Sequence, residues 1–287
     1  MKTIILGASG LLGQHIAAQW PAPCAAPSHA ELDIHNYAAV AHYMGQHQPG
    51  LVINCTGYNA VDMAQDEPQL AAALNHHAVA QLVQACNAVG ASLVHFSTDF
   101  VFDGLQCGVP ANRPYIESDS ANPLCVYGAT KLAGERAVLA SSGAHYVFRV
   151  SWLYGQGGNN FFSQVGTWLQ DDRVLKVVAD QVSVPNDVAR LAQVLVQWQH
   201  LWAHLDIVQG EGVAEQFLQQ HRGLYHLVGT AAMSRFAYAQ QVAQGLGSLA
   251  VARLEPVSAS AFSAAAVRPA YSAMSSAKFT KVFDICV

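Results

Sequence analysis

Lys2-Thr3-Ile4-Ile5-Leu6-Gly7-Ala8-Ser9-Gly10-Leu11-Leu12-Gly13 is the stretch that decides the fold. Its apolar start reads as a buried parallel strand, and the glycines that follow mark a turn directly into a helix. Such a turn suits a pyrophosphate. Gly7 permits the tight bend, Gly10 lets backbone N–H groups approach the phosphates, Gly13 lets the helix pack closely on the strand, and the anion rests on the helix N-terminus. The spacing is G-x-x-G-x-x-G rather than G-x-G-x-x-G, and glycines serving only a tight strand-to-helix turn would look the same.

Outward from this turn the chain keeps a βα rhythm. Strands are expected at 2–6, 51–56, 92–96 and 145–150, and helices at 11–20, 36–48, 68–89 and 126–141. Pro21 and Pro23 end the first helix, Pro49-Gly50 the second, and Gly90 caps the third. This is a doubly wound, Rossmann-like α/β parallel sheet. After Trp152 the rhythm loosens, with a Gly-rich turn at 155–158, a helix at 161–169 and a strand at 175–178, so a smaller α/β lobe is expected there. The division expected is 1–152 with 187–205 for the first lobe and 153–186 with 206–287 for the smaller, substrate-binding one.

Tyr127 and Lys131 stand four apart in a helical stretch and share one face, as a proton donor and its cationic helper would. An amphipathic helix with a half-buried Tyr and a snorkelling Lys is the plainer explanation of that spacing alone. Ser97-Thr98-Asp99, at the end of the apolar run Ser92 to Phe96, supports the chemical one. With the glycine turn, these motifs describe a nicotinamide-dependent reductase or a close relative.

Composition narrows the alternatives. Charged residues are only 11% of the 287, against about 25% in soluble domains, and the formal charge of −5 with 14 scattered Lys and Arg provides no field for nucleic acid. No apolar stretch reaches a membrane span and no cleavable leader is evident, so a cytoplasmic location is expected. The six cysteines form no C-x-x-C pair and are expected to be reduced. His200 and His204, His76-His77 and His42 with His47 lack further ligands to complete a tetrahedral site, so no metal is expected.

Gly7-x-x-Gly10-x-x-Gly13, Ser97-Thr98-Asp99-Phe100-Val101-Phe102-Asp103-Gly104, Tyr127-x-x-x-Lys131, Ser151-Trp152-Leu153-Tyr154-Gly155, Gly158-Asn159-Asn160-Phe161 and Arg268-Pro269 together resemble the dTDP-4-dehydrorhamnose reductase family, from Met1 to about Phe279. The resemblance implies reduction of the 4-keto group of a nucleotide-linked 6-deoxyhexulose, with Thr98, Tyr127 and Lys131 catalytic. A phenol near pKa 10 needs roughly 4 kcal/mol to reach 7, and Lys131 and an oxidised nicotinamide are suitable sources of it. It places Gly7, Ser9, Gly10, Leu11, Leu12, Gly13, Asp33, Ile34, Thr56, Gly57 and Asn59 along the dinucleotide, with Tyr127 and Lys131 at its nicotinamide end. Asp33 could equally be a helix N-terminal acid. Around the sugar nucleotide it places Val61, Thr98, Asp99, Phe100, Trp152, Asn160, Gln181 and Arg268, the last as a diphosphate clamp. No carboxylate stands in 24–29, where NAD specificity usually shows, and Ser28 or His29 can receive a 2′-phosphate, so NADPH is favoured over NADH.

Several positions depart from the family. Phe100 stands for a Tyr, Asn59 and Gln65 for a Thr and a Glu, and Ser183 and Asn186 for a Gly and a Thr, while the loop Leu105–Tyr115 is longer. His15 replaces a Glu that some members link to a metal at a dimer contact. The apolar C-terminus 279–287 lacks the family's final helix, which predicts a bare patch and a homo-oligomer. Two functions stay open: the reductase, and a non-catalytic dinucleotide-binding regulator like the regulatory β subunit of methionine adenosyltransferase. The retained Thr98, Tyr127 and Lys131 favour the reductase.

Overall fold

The structure, a computed structural model, describes residues 1–287 except 22–23, 107, 159, 170–173, 211, 246, 248–250 and 252, and the side chains of 206–207. Pro23, Cys107 and Asn159 therefore lie outside the described residues. Parallel strands β1 (Thr3–Leu6), β2 (Cys24–Ala25), β3 (Leu51–Asn54), β4 (Ser92–Thr98), β5 (Tyr146–Val150) and β6 (Gly223–His226) form one sheet in the order β6-β5-β4-β3-β1-β2. Helices used below are α1 (Leu11–Gln19), α2 (Tyr37–His47), α3 (Ala78–Ala88), α4 (Val126–Leu139), α5 (Phe161–Trp168), α6 (Val188–Ala203), α7 (Arg235–Gln244) and α8 (Ala277–Phe283).

Both faces of the sheet are covered, which is why its strands are apolar without alternation. Ile5, Ile53, Val94 and Tyr146 stand side by side and enter one core layer with α1 and α6, including Trp198 and Trp202. Their neighbours Ile4, Val52 and Leu93 enter the opposite layer with α2 and α3. From β1 the chain runs outward to β2 and then crosses back to β3, so the strand order reverses between β1 and β3. The crevice outside the carboxyl ends of those two strands is where such sheets bind ligands.

Three expectations are corrected here. The helix expected over 68–89 is interrupted: Pro68–Ala72 passes into a wide turn, Ala73–His77, before α3. Asn75 in that turn accepts the Tyr58 N–H at 2.8 Å and donates to the Tyr58 carbonyl at 3.1 Å and to Thr130 Oγ1 at 3.2 Å. A Cβ on Gly134 of α4 would stand 2.2 Å from the Asn75 carbonyl oxygen, so only glycine lets α4 press against this turn.

The strand at 223–226, assigned from sequence to the smaller lobe, is the edge of the main sheet, because its backbone completes the ladder of β5. The C-terminus is the third. Residues 277–283 do form a helix, and Phe279, Phe283 and Ile285 are buried in the α1–α6 core layer beside Trp198 and Tyr225. Each such aromatic contributes about 1.5–3 kcal/mol on burial, so the expected bare patch does not exist and gives no ground for self-association.

The smaller unit pairs Leu175–Val178 with Leu254–Val257 and Val182–Ser183 with Met233–Ser234. α5 and α7 pack over a core of Val165, Leu169, Val177, Ala239 and Ala243. Asn186 ties the crossing between the two units: its Nδ2 donates to the Ser151 and Val184 carbonyls at 2.6 and 3.0 Å, and its Oδ1 accepts the Gly229 N–H at 2.8 Å. Among the described residues no helix is long and apolar enough to cross a membrane, and Cys24, Cys55, Cys86, Cys125 and Cys286 are free thiols.

Candidate active site

A cleft of about 450 Å³ opens at the reversal point between β1 and β3 and runs along the end of β4. Its first wall is the glycine turn. Gly7 has φ +75° and stands so close to the β3 loop that a Cβ would meet Cys55 C and Thr56 N at 2.9 Å. A Cβ on Gly13 would lie 2.2 Å from the Gly7 oxygen. Gly10 begins α1 with no side chain capping it, so first-turn N–H groups are left for a ligand. Gly10, Leu11 and Leu12 line the cleft, and Ser9 is exposed beside them. This cradle fits a pyrophosphate.

Thr56 and Asn59 line the same wall. Thr56 donates its N–H and hydroxyl to Asn54 Oδ1 at 3.0 and 2.6 Å, and the Asn54 amide reaches buried His95 Nδ1 at 3.2 Å, which fixes the loop after β3. Gly57 is packed so that a Cβ would stand 3.7 Å from Lys131 Nζ.

Thr98, Tyr127 and Lys131 come together in the cleft from the end of β4 and one face of α4. The Thr98 oxygen accepts the Phe100 N–H at 3.2 Å and its proton reaches Asp99 Oδ1 at 3.2 Å. Loss of water pushes the Tyr127 phenol up to about 12, against the pull of the Thr98 hydroxyl. Burial brings the Lys131 ammonium down to about 8, opposed by Glu135 and Cys55. The Thr98 hydroxyl opposes the rise at Tyr127, and the Lys131 ammonium donates to the Phe96 carbonyl at 2.6 Å.

The remaining predicted residues are more scattered. Asp99 lines the cleft, yet its Oδ2 accepts the Ser183 and Ser272 hydroxyls at 2.8 and 2.5 Å, and burial raises its pKa. Trp152 lines it in a left-handed conformation, φ +36°. Asn160 also lines it, but its amide caps α5 and donates to the Gly155 and Gly158 carbonyls at 2.8 and 3.1 Å. Phe100 sits behind the wall, edge-on to the Tyr127 ring at 5.8 Å, with Val61 packed beside them. Gln181 contributes its carbonyl to the Arg235 N–H at 3.3 Å.

Arg268 differs from its expected role: both terminal nitrogens bond Asp62, at 3.1 and 2.6 Å, so its fork is already filled. At the other end, Asp33 accepts the His35 N–H at 2.9 Å while Asn36 caps α2, and Ile34 is buried in the core. Ser28 and His29 are exposed, and Ser28 gives both its N–H and its hydroxyl to Glu31 Oε2, at 2.7 and 2.8 Å. These bonds hold the Glu31 carboxyl below its usual range. A carboxylate therefore does stand against the 24–29 segment, two residues beyond its end. None of the described residues of Leu105–Tyr115 lines the cleft: Tyr115 stacks on Phe102 at 3.9 Å and bonds the Leu105 carbonyl at 2.8 Å. Among the described residues no group of three or more His, Cys, Asp or Glu is placed to hold a metal.

Sequence reasoning missed Tyr154, Phe161, Arg235 and Tyr238 on the far wall. Tyr154 and Phe161 stand inside quoted motifs but were given no role there, whereas Arg235 and Tyr238 come from a separate segment and carry no motif.

A dinucleotide cradle at a sheet reversal beside a Thr, a Tyr and a Lys defines an extended short-chain dehydrogenase/reductase. The chain matches the RmlD substrate binding domain over residues 1–287. It is 37% identical over 282 residues to the dTDP-4-dehydrorhamnose reductase of Streptomyces griseus, covering 97% of this chain and 86% of that protein. It is 34% identical to that of Salmonella typhimurium, over 88% and 80%. The crystal structure of the Bacillus anthracis dTDP-4-dehydrorhamnose reductase in complex with NADP superposes with a TM-score of 0.84 at 30% identity, covering 98% and 92%. The chain belongs to the dTDP-4-dehydrorhamnose reductase family.

Proposed function

We propose that this chain reduces the 4-keto group of dTDP-4-dehydrorhamnose with NADPH, giving dTDP-rhamnose. The observation that carries the reading is the convergence of Thr98, Tyr127 and Lys131 in one cleft with the glycine cradle. NADPH, bound along the turn Gly7–Gly13, supplies the hydride. Tyr127 gives its phenolic proton to the keto oxygen as negative charge develops there, and the Thr98 hydroxyl turns from Asp99 to hydrogen-bond the same oxygen. Lys131, cationic below about pH 8, stabilises the phenolate that is left. From about 12, bringing the phenol near 7 asks for about 7 kcal/mol, so the site works as an acid only when charge is placed beside Tyr127.

In this reading the six-stranded sheet and its helices hold the dinucleotide, and the smaller unit around α5 and α7 holds the sugar nucleotide. The site's chemistry also argues against a purely regulatory role, which has no use for a buried Lys beside a Tyr. The test is NADPH absorbance with dTDP-4-dehydrorhamnose: consumption with formation of the 4-alcohol is expected. Tight NADPH binding without consumption would overturn the reading in favour of the regulator.

A further inference from the structure

Arg235, the first residue of α7, is an unusual cation in this molecule. Its guanidinium lies 4.4 Å from the centre of the Trp152 ring and 5.4 Å from that of Phe161. Among the described residues no carboxylate is within ion-pair distance of it, whereas Arg268 is paired through both terminal nitrogens with Asp62. The nearby acid, Asp99, has its oxygens committed to Thr98, Ser183 and Ser272. Burial lowers Arg235 to about 10, so it is still charged at neutral pH.

A partly dehydrated cation with no carboxylate in direct contact is under-compensated, and an anionic ligand would stabilise it. Ring faces hold a guanidinium flat but accept none of its N–H bonds, so its donor edge stays available for a bidentate oxyanion.

The position of this cation is equally specific. Arg235 and Phe161 line the catalytic cleft and also a second, more apolar pocket of about 390 Å³ walled by Trp168, Leu175, Val177 and Phe262, with the exposed Lys176 at its rim. Arg235 is thus the neck between a polar cleft that holds Tyr127 and an apolar recess. A nucleotide sugar has the same order of parts: a reacting sugar, two phosphate charges, then a flat base. The other cation of the cleft wall, Lys131, is bonded to the Phe96 carbonyl. We infer that Arg235, and not Arg268, binds the diphosphate of the substrate at this neck, with the nucleoside in the recess beyond it. The inference rests on the nucleotide-sugar reading above.

Calorimetric titration of dTDP and of thymidine into the unmodified chain, Arg235→Gln, Arg235→Lys and Arg268→Gln tests it. Arg235→Gln should weaken dTDP by about 10- to 100-fold, the loss of one charge-assisted contact, while thymidine and NADPH bind as before. Arg235→Lys should recover part of the loss, and Arg268→Gln should leave dTDP close to the unmodified value. Unchanged dTDP affinity in Arg235→Gln overturns the assignment, and so does an equal loss of thymidine, which would mean that Arg235 only props Trp152 and Phe161. A chain that binds no dTDP would instead overturn the functional reading. Inorganic pyrophosphate, titrated with NADPH already filling the glycine cradle, then decides the neck by itself: binding lost in Arg235→Gln supports it, and binding indifferent to that change overturns it.

Discussion

The two walls of the cleft are built in different ways. On the near wall, backbone does the work: the turn Gly7–Gly13 closes on the β3 loop so tightly that Cβ atoms at Gly7 and Gly13 would sit 2.9 and 2.2 Å from main-chain atoms. On the far wall, side chains do it: the Arg235 guanidinium, from a distant segment, lies over the rings of both Trp152 and Phe161. Backbone close approach demands glycine at set spacings and leaves a motif. A stacked side chain can be supplied from any segment that the tertiary fold brings there, and Arg235 accordingly carries no motif, although Trp152 and Phe161 do.

The sharpest way to break this contrast is at the junction of the walls. Tyr127→Phe should lower kcat by about 10²–10⁴-fold while NADPH affinity stays the same, because in the proposed mechanism the hydroxyl moves a proton and holds no phosphate. Steady-state rates paired with a binding titration check this; near-normal kcat would remove Tyr127 from the mechanism.

Next in size is Gly10→Val. Its Cβ would stand 3.3 Å from the Gly7 oxygen, tight but less severe than at Gly13, so the variant should fold and bind NADPH about 10- to 100-fold more weakly. A melting curve separates this from unfolding. Unaltered NADPH affinity in a folded Gly10→Val would make the near wall a structural turn only.

A smaller effect follows pH. Lys131 titrates near 8 in the folded chain against 10.5 ordinarily, so kcat/KM should be level below about 8 and fall tenfold per unit above it. The sign for stability is opposite. The unfolded chain binds the extra proton between these values, so the contribution of Lys131 to stability rises as pH passes from about 8 to 10.5. A rate profile flat to pH 10 would place the helpful charge elsewhere.

The smallest effect is expected at Arg268, whose partner Asp62 is half-exposed. Arg268→Gln should cost only about 0.2–1 kcal/mol of stability, read from denaturant titration. If instead the KM for the sugar nucleotide rises strongly with stability unchanged, Arg268 belongs to the far wall after all.

The sequence by itself determined the parallel sheet, the glycine cradle and the Thr98, Tyr127 and Lys131 group. Each of these is a local rule: apolar runs buried on both faces, glycine where main chains meet, and two side chains one helical turn apart. What only the tertiary structure decided is long-range. The edge strand at 223–226 is placed by ladder bonds to β5, and the C-terminal Phe279 and Phe283 are covered by α6, which lies about eighty residues earlier. Arg268 is filled by Asp62 and Arg235 is left with its charge open. Two arginines that look alike in a sequence are told apart only by which carboxylate the fold brings within reach.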